Sequence, residues 1–272
     1  MSGALQGKAV LVTGGGTGIG TGCALVAARE GAAVTICGRT EATLAAAAET
    51  IGAAAADGGS VQHLVADVTS EDDVARAVAA AASVTGSLDG VVANAGGGGM
   101  IAPYHQMDVA EFRRVLDLNV VGTMLLLKHT VPHLAAGKGS FVGMSSIAGH
   151  LTHPFFGAYP VAKAGIEQIV RNAADEYGQY GVRCNAVRPG FTATEIMELI
   201  PKDSAVYQSY LDNTPLHPLG EVEDVAELVL FLLAPVSRWI TGQTINVDGG
   251  LHLRRGPDFS LFAGDTSLPA PG

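Results

Sequence analysis

Charge is scarce in this chain and cysteine scarcer: 15% of its 272 residues are Asp, Glu, Lys or Arg, and only three are cysteine. Sixteen basic residues face 26 acidic ones, a formal balance of −10, so the chain lacks the basic face that nucleic acid or an anionic membrane requires. Cys23, Cys37 and Cys184 are odd in number, far apart and without CxxC spacing. They exclude a disulfide framework and a zinc site and fit a reduced cytoplasmic interior. Long apolar runs are missing too. Only Ala9 to Val12 lie between Lys8 and Thr13, too few for the ~7–15-residue core of a signal peptide. Val120 to Leu127 and Leu228 to Val236 fall short of the ~20 residues that span a bilayer. A soluble protein with no nucleic-acid or membrane partner is expected.

What the chain has in quantity is apolar character in short blocks, 48% of residues, punctuated by 36 glycines. No linker or repeat divides it, and α/β domains run to ~250 residues, so residues 1–272 read as one domain with a core from about 6 to 250 and a tail from 251 to 272. Buried strands are expected at Ala9 to Thr13, Ala33 to Cys37, Val61 to Val65, Leu88 to Ala93, Gly139 to Met144, Val182 to Val187 and Thr244 to Val247. Helices are expected between them, at Gly18 to Glu30, Thr40 to Ala55, Glu71 to Thr85, Ala110 to Leu134, Ala158 to Tyr177 and Glu221 to Leu233. This alternation predicts a parallel sheet covered on both faces. Two segments depart from it, Gly97 to Met107 and Phe191 to Leu219, the latter with short helical pieces and three prolines. Both follow the carboxyl ends of strands, where ligands sit in open α/β sheets. The tail, with Arg254, Arg255 and three prolines, reads as disordered or as a cap on a neighbouring subunit, composition favouring disorder.

Thr13-Gly14-Gly15-Gly16-Thr17-Gly18-Ile19-Gly20 joins the first strand to the first helix. Glycines there let the backbone approach a pyrophosphate, which the helix N–H groups then hold. The spacing is TGxxxGxG, neither GxGxxG nor, without a lysine at Thr21, a P-loop. Asp67-Val68 closes the third strand and Asn94-Ala95-Gly96 the fourth; Ser146, Tyr159 and Lys163 stand thirteen and then four residues apart; Asn119 lies in the fourth helix. Pro189-Gly190 leads through Thr192 to Thr194, and Thr241-Gly242-Gln243 runs into Val247-Asp248-Gly249-Gly250. In all these places, over about residues 6 to 250, the chain resembles the short-chain dehydrogenase/reductase family.

That resemblance implies a doubly wound Rossmann-type α/β fold with a seven-stranded parallel sheet in the order 3-2-1-4-5-6-7. It also implies reversible carbonyl/alcohol oxidoreduction with a nicotinamide cofactor. The cofactor would be held by Gly14, Thr17, Gly18, Ile19, Gly20, Gly38, Arg39, Asp67, Val68, Asn94, Ala95, Gly96, Tyr159, Lys163, Pro189, Gly190, Thr192 and Thr194. Tyr159 would exchange a proton with the substrate oxygen, Ser146 orient that oxygen, Lys163 hold the nicotinamide ribose and Asn119 help hold a relaying water. The residues make chemical sense alone: Tyr159 and Lys163 at i and i+4 share a helix face, and a nearby ammonium is expected to lower the phenol from its ordinary ~10. Pro160 directly after the tyrosine departs from the family pattern but suits a helix's first turn. Pro218 and Val222 stand where Arg and Pro are more usual.

Competing chemistries lack their residues. Gly143-Met144-Ser145-Ser146-Ile147 is not a GxSxG elbow. His129 and His133 have helical spacing but no HExxH, so no metal is expected, and His150 and His153 read as solvent-facing loop residues. Two rivals stay open: a catalytically silent nucleotide-binding protein on the same fold, which the full residue set opposes, and an enoyl reductase, whose Tyr and Lys are commonly spaced more widely.

Cofactor choice turns on the end of the second strand, where NAD-specific relatives carry a carboxylate about twenty residues beyond the glycine loop. Here Gly38 stands eighteen residues after Gly20 and Arg39 follows, so NADP(H) is expected over NAD(H), although Thr17 is not basic and Glu41 is near enough to offer a carboxylate. The loops from Gly97 and Phe191 offer Met100, Ile101, Ile196, Met197, Leu199 and Ile200, and a lid from Glu195 to Ile200 predicts a small apolar ketone or alcohol as substrate. The family's habit of pairing the fourth and fifth long helices across one axis, and the last helix and strand across another, predicts a homotetramer.

Overall fold

The computed structural model describes residues 3–194, 200–216, 219–254, 259–265 and 267. Seven parallel strands form one sheet: β1 (Ala9–Thr13), β2 (Ala33–Gly38), β3 (Ser60–Val65), β4 (Gly90–Ala93), β5 (Ser140–Met144), β6 (Arg183–Pro189) and β7 (Thr244–Val247). Their order is β3-β2-β1-β4-β5-β6-β7, as the resemblance implied. The chain builds outward from β1 in one direction and then, from β4, in the other. Between β1 and β4, at this reversal, the loops leaving the strand tips separate and open a cleft.

Strand periodicity explains the two-faced core. Ala9 and Leu11 of β1 enter one apolar cluster, Val10 and Val12 the other, because successive side chains of a strand point to opposite faces. The first cluster is completed by α3 (Glu71–Thr85), α5 (Gly122–Gly137) and α6 (Ala158–Tyr177); the second by α1 (Gly18–Arg29), α2 (Glu41–Ala54) and α8 (Val222–Leu233). Four central strands, β1, β2, β4 and β5, are covered on both sides, which is why they read as unbroken apolar runs. Most expected boundaries hold to within a residue or two.

The expected helix from Ala110 to Leu134 is three pieces in line. α4 (Val109–Leu116) passes into a π-helical turn over Asp117–Val121 and then into α5, which continues through Pro132. The widened turn carries Asn119, and such π turns are frequent at functional sites. Among the described residues of the segment after β6, α7 (Ala205–Asn213) is the helical piece, its N-terminus capped by Ser204 Oγ accepting from Tyr207 N. Glu195 to Leu199, Pro218 and Arg255 lie outside the described residues, so Ile196, Met197, Leu199 and most of the expected lid receive no structural account.

Tail residues expected to be disordered instead pack against the body of the protein. Leu251, Phe259 and Ala263 are buried, and Phe259 joins a third apolar cluster with Ile147, Phe191, Val206 and Tyr210. Composition misled here because a few apolar anchors, not average polarity, decide whether a short segment docks.

Candidate active site

The cleft at the strand tips is a cavity of about 560 Å³. Thr13 and Asn94 fasten its two walls together. Asn94 Nδ2 donates to the carbonyls of Thr13 and Gly14, each at 3.1 Å, while Thr13 Oγ1 accepts from the backbone N–H of Asn94 and Ala95, each also at 3.1 Å. Gly14 takes a positive φ of 65°, which turns the chain from β1 toward α1. Gly20 lies under that turn, where an added Cβ would come within 2.1 Å of the Gly14 carbonyl oxygen. At the start of α1, Thr17 makes no side-chain cap and no acidic residue occupies the first turn. α3 and α4, by contrast, are capped by Ser70 and Asp108. The uncapped N–H groups and positive dipole end of α1 therefore fit a diphosphate, and the residues present suit a nicotinamide dinucleotide.

Asp67 closes this end from β3, one carboxylate oxygen accepting from Thr69 N at 2.9 Å and Thr69 Oγ1 at 2.7 Å. Gly38 and Arg39 line the cavity from the tip of β2. Arg39 is exposed, and no hydrogen bond or ion pair engages its side chain among the described residues. The competing carboxylate is occupied, since Glu41 Oε1 sits 2.8 Å from His63 Nε2 on β3.

Across the cavity, Ser146 leaves the tip of β5 while Tyr159 and Lys163 project from the first turns of α6. Ser146 Oγ accepts from Ala148 N at 3.2 Å and lies on the Tyr159 side of the cavity, near enough to oppose in part the effect of burial on the phenol. Lys163 Nζ donates to the Met144 carbonyl at 2.8 Å and stands 5.5 Å from the centre of the Tyr159 ring. The expected lowering of the Tyr159 pKa by this ammonium is not found. Desolvation raises the phenol, with the Ser146 hydroxyl only partly opposing it, because the amine lies over the ring face instead of against the hydroxyl. Burial also pushes Lys163 down from 10.5 to about 8.

Behind these groups runs a buried ion pair. Glu167 accepts from Arg188 Nε and Nη2, both at 2.6 Å, and from Ser145 Oγ at 2.7 Å, tying α6, β6 and the end of β5 together. Asn119 is fully buried: its Nδ2 donates to Gly97 O at 3.0 Å and Val115 O at 2.8 Å, and its Oδ1 accepts from Gly97 N at 3.3 Å. Its side chain thus pins the loop after β4 and does not line the cavity. Gly20 does not line it either; every other residue expected at the site does, from Gly14, Thr17, Gly18 and Ile19 through Val68, Ala95 and Gly96 to Pro189, Gly190, Thr192 and Thr194.

The sequence reading missed the far wall. Phe156, Phe191, Tyr210 and Phe259 line the cavity beside Tyr159, and of the expected aliphatic lid only Ile200 is among the described lining residues. Phe156 is 4.9 Å from the Tyr159 ring. It follows Phe155, a non-glycine residue at φ 66°, a strained turn of the kind that clusters at functional sites. The one available signal was the Phe155-Phe156 pair three residues before Tyr159; the other rings come from distant segments. His153 is also buried, not solvent-facing as expected, while His150 is exposed. His153 Nδ1 donates to Leu151 O at 2.9 Å, and Nε2 has no partner, so burial holds the ring neutral. His129 turns to Glu71 at 3.0 Å and forms no pair with His133; no metal-binding cluster exists among the described residues. All three cysteines are buried and unpaired, their thiols pushed up to about 12 by burial. No described helix is long and apolar enough to cross a membrane.

Comparison with known proteins agrees with this geometry. A family model described as enoyl-(acyl carrier protein) reductase matches residues 14–252. Cis-4-hydroxycyclohexanecarboxylate dehydrogenase of Sinomonas cyclohexanicum is 38% identical over 245 residues, 89% of this chain and 96% of the relative. A short-chain type dehydrogenase/reductase from Mycobacterium ulcerans superposes with a TM-score of 0.92 at 46% identity, over 94% of both chains. Levodione reductase does so at 0.86 and 30% identity, over 92% of this chain and 99% of that one. With the sheet order, the glycine turn, and the Ser146, Tyr159 and Lys163 side chains all on one cleft, the chain belongs to the short-chain dehydrogenase/reductase family and is a nicotinamide-dependent oxidoreductase of the alcohol/carbonyl couple.

Proposed function

We propose that this protein interconverts a ketone and a secondary alcohol, with Tyr159 as the proton-transferring group. The carrying observation is that Tyr159, Ser146 and Lys163 line the same cavity as the uncapped start of α1, which supports a proton donor and a cofactor sharing one space. Nicotinamide bound there supplies or accepts the hydride. In reduction the Tyr159 O–H bond breaks and its proton goes to the carbonyl oxygen, so hydride plus proton account for the two hydrogens gained. A phenol raised by burial is protonated at neutral pH and is ready for that donation. Ser146 holds the same oxygen. Lys163 uses one of its three N–H donors on Met144 and keeps two for ribose hydroxyls. Asn119 acts by fixing the π turn and the loop beside it, and its relayed water remains part of the proposal. An enoyl reductase, the description borne by the matched model, is disfavoured by the i, i+4 spacing of Tyr159 and Lys163; the silent-protein reading is disfavoured by the intact triad.

The preferred cofactor in this reading is NADP(H), because Arg39 at the tip of β2 has no hydrogen-bond or ion-pair partner among the described residues and Glu41 is turned to His63. The substrate is small and apolar, since the wall beside Tyr159 is aromatic and aliphatic. Two exposed apolar surfaces support a homotetramer: Val121, Met124 and Val161 on the π turn, α5 and α6, and Phe231, Val236 and Trp239 beside α8 and β7, Trp239 being 91% exposed. The unpaired thiols suit the cytoplasm. Absorbance of the reduced cofactor, followed over a panel of ketones and alcohols with NADPH and NADH, tests the reaction, and no turnover of any would sink it. Light scattering at micromolar concentration tests assembly, a mass of one subunit being the adverse result.

A further inference from the structure

The four rings that line the cavity with Tyr159 are arranged as two stacked pairs set on edge to one another. Phe156 and Phe259 stack at 4.5 Å and 14°, Phe191 and Tyr210 at 4.3 Å and 5°, and Tyr210 meets Phe259 edge-on at 77° with centroids 6.5 Å apart. They reach the site from four separate places: the loop before α6, the tip of β6, α7 and the C-terminal segment. Phe259 is 4% exposed. Its segment is moored to the loop after β4, where Gln106 Nε2 donates to Asp265 O at 2.6 Å and His105 Nε2 lies 3.2 Å from Ser267 O.

Charge is distributed unevenly over the same cavity. Its described lining contains three charged residues, Arg39 and Asp67 at the tips of β2 and β3 and Lys163 beneath Tyr159. None stands among the rings. A carboxylate, sulfonate or phosphate carried into that end would be desolvated without a partner, at a cost its remaining contacts would not offset. Flat aromatic faces favour the broad apolar faces of a ring over a thin flexible chain, which must also give up rotameric freedom on binding.

Resting on the assignment of proton transfer to Tyr159, we propose that the substrate is an uncharged ketone or secondary alcohol carried on a six-membered ring, and that Phe259, delivered by the C-terminal segment, selects it. The inference departs from the hydroxyacid named for the Sinomonas relative, since among the described residues the ring end of this cavity offers no charged partner for a carboxylate.

The test uses the full-length protein with reduced cofactor and three probes: cyclohexanone, 2-hexanone and 4-oxocyclohexanecarboxylate. Wild type is expected to reduce cyclohexanone with a kcat/KM roughly tenfold or more above either of the others. Phe259→Ala should raise KM for cyclohexanone about tenfold and KM for 2-hexanone much less, collapsing the ring-to-chain ratio of kcat/KM. Phe259→Leu, which keeps most of the volume and guards against misfolding, should give an intermediate ratio. Equal use of the carboxylate overturns the charge argument. A ring-to-chain ratio unchanged in both variants overturns the role of Phe259. If wild type reduces none of the three ketones while NADPH still binds, the catalytic assignment itself fails and takes the proposal with it, a result distinct from reduction of all three alike, which defeats the selection alone.

Discussion

The two ends of the cleft are built from different material. At the end proposed for the nucleotide the lining is main-chain N–H groups, glycines and a few short side chains, drawn largely from one turn between β1 and α1 and from the tips of β2, β3 and β4. At the substrate end they are large side chains from four segments spread over more than a hundred residues. A main-chain site tolerates little added volume but is indifferent to most side chains, because its ligand is read by N–H geometry. A side-chain site can be recut one residue at a time. The comparison thus explains how one scaffold keeps its cofactor while its substrate changes.

Several measurements would break or sharpen that contrast. Tyr159 stands where the two ends meet, so Tyr159→Phe should give the largest loss, ~10²–10⁴-fold in kcat, with cofactor binding intact by fluorescence titration. Retention of more than about a tenth of wild-type kcat would place proton transfer elsewhere. Gly20→Ala should act only on the nucleotide end. Its Cβ would press to 2.1 Å on the Gly14 carbonyl, so KM for the cofactor should rise about tenfold or more and Tm should fall, with kcat at saturation least affected. An unaltered cofactor KM would mean that the turn has room it is not expected to have.

Lys163→Met should damage cofactor binding and turnover together, and its stability carries a pH signature. Burial lowers the folded-state pKa of Lys163 to about 8 from 10.5. Between those values the unfolded chain binds the proton and the folded chain does not, so the contribution of this lysine to stability is complete above pH 10.5 and is lost as pH falls through 8. Without cofactor, the Tm of the variant minus that of wild type should therefore be most positive near neutrality and shrink as pH rises across that window. A difference that does not change with pH would remove burial as the source of the shift.

The smallest effect expected is a change of cofactor without loss of chemistry. A Cβ at Gly38 would meet only Leu44 Cδ2 and Cγ, at 3.5 and 4.0 Å, so Gly38→Asp is accommodated. Combined with Arg39→Ala, it should swing the kcat/KM ratio from NADPH toward NADH by roughly 10–100-fold, the worth of one or two hydrogen bonds to a charged group. A wild-type preference for NADH that Arg39→Ala leaves untouched would show that this arginine does not read a 2′-phosphate.

The same contrast decides how much of the site is legible in the order of amino acids. The glycine turn, Asp67, Asn94 and the Tyr159/Lys163 pair are readable because each depends on spacing within one element or one turn, where covalent geometry carries neighbours to fixed places. The role of the Asn119 side chain is not, because the π turn that buries it depends on how α4 and α5 pack. Nor is the direction of the Tyr159 shift: i, i+4 spacing brings the amine near, but only burial and the draw of the Met144 carbonyl decide that it lies over the ring and not at the oxygen.

By itself, then, the sequence determined the alternation of strands and helices, the sheet order implied by its motifs, and most of the side chains that meet at the cavity. Tertiary structure alone decided the aromatic wall, the buried pair of Glu167 and Arg188, the burial of His153 and the docking of Phe259 from a tail whose composition argued for disorder. The reason is range. Periodicity and turn chemistry act over a few residues and leave a mark in the order of amino acids, whereas contacts between Phe156 and Phe259, or Phe191 and Tyr210, exist only once the sheet has brought their segments to the same strand tips.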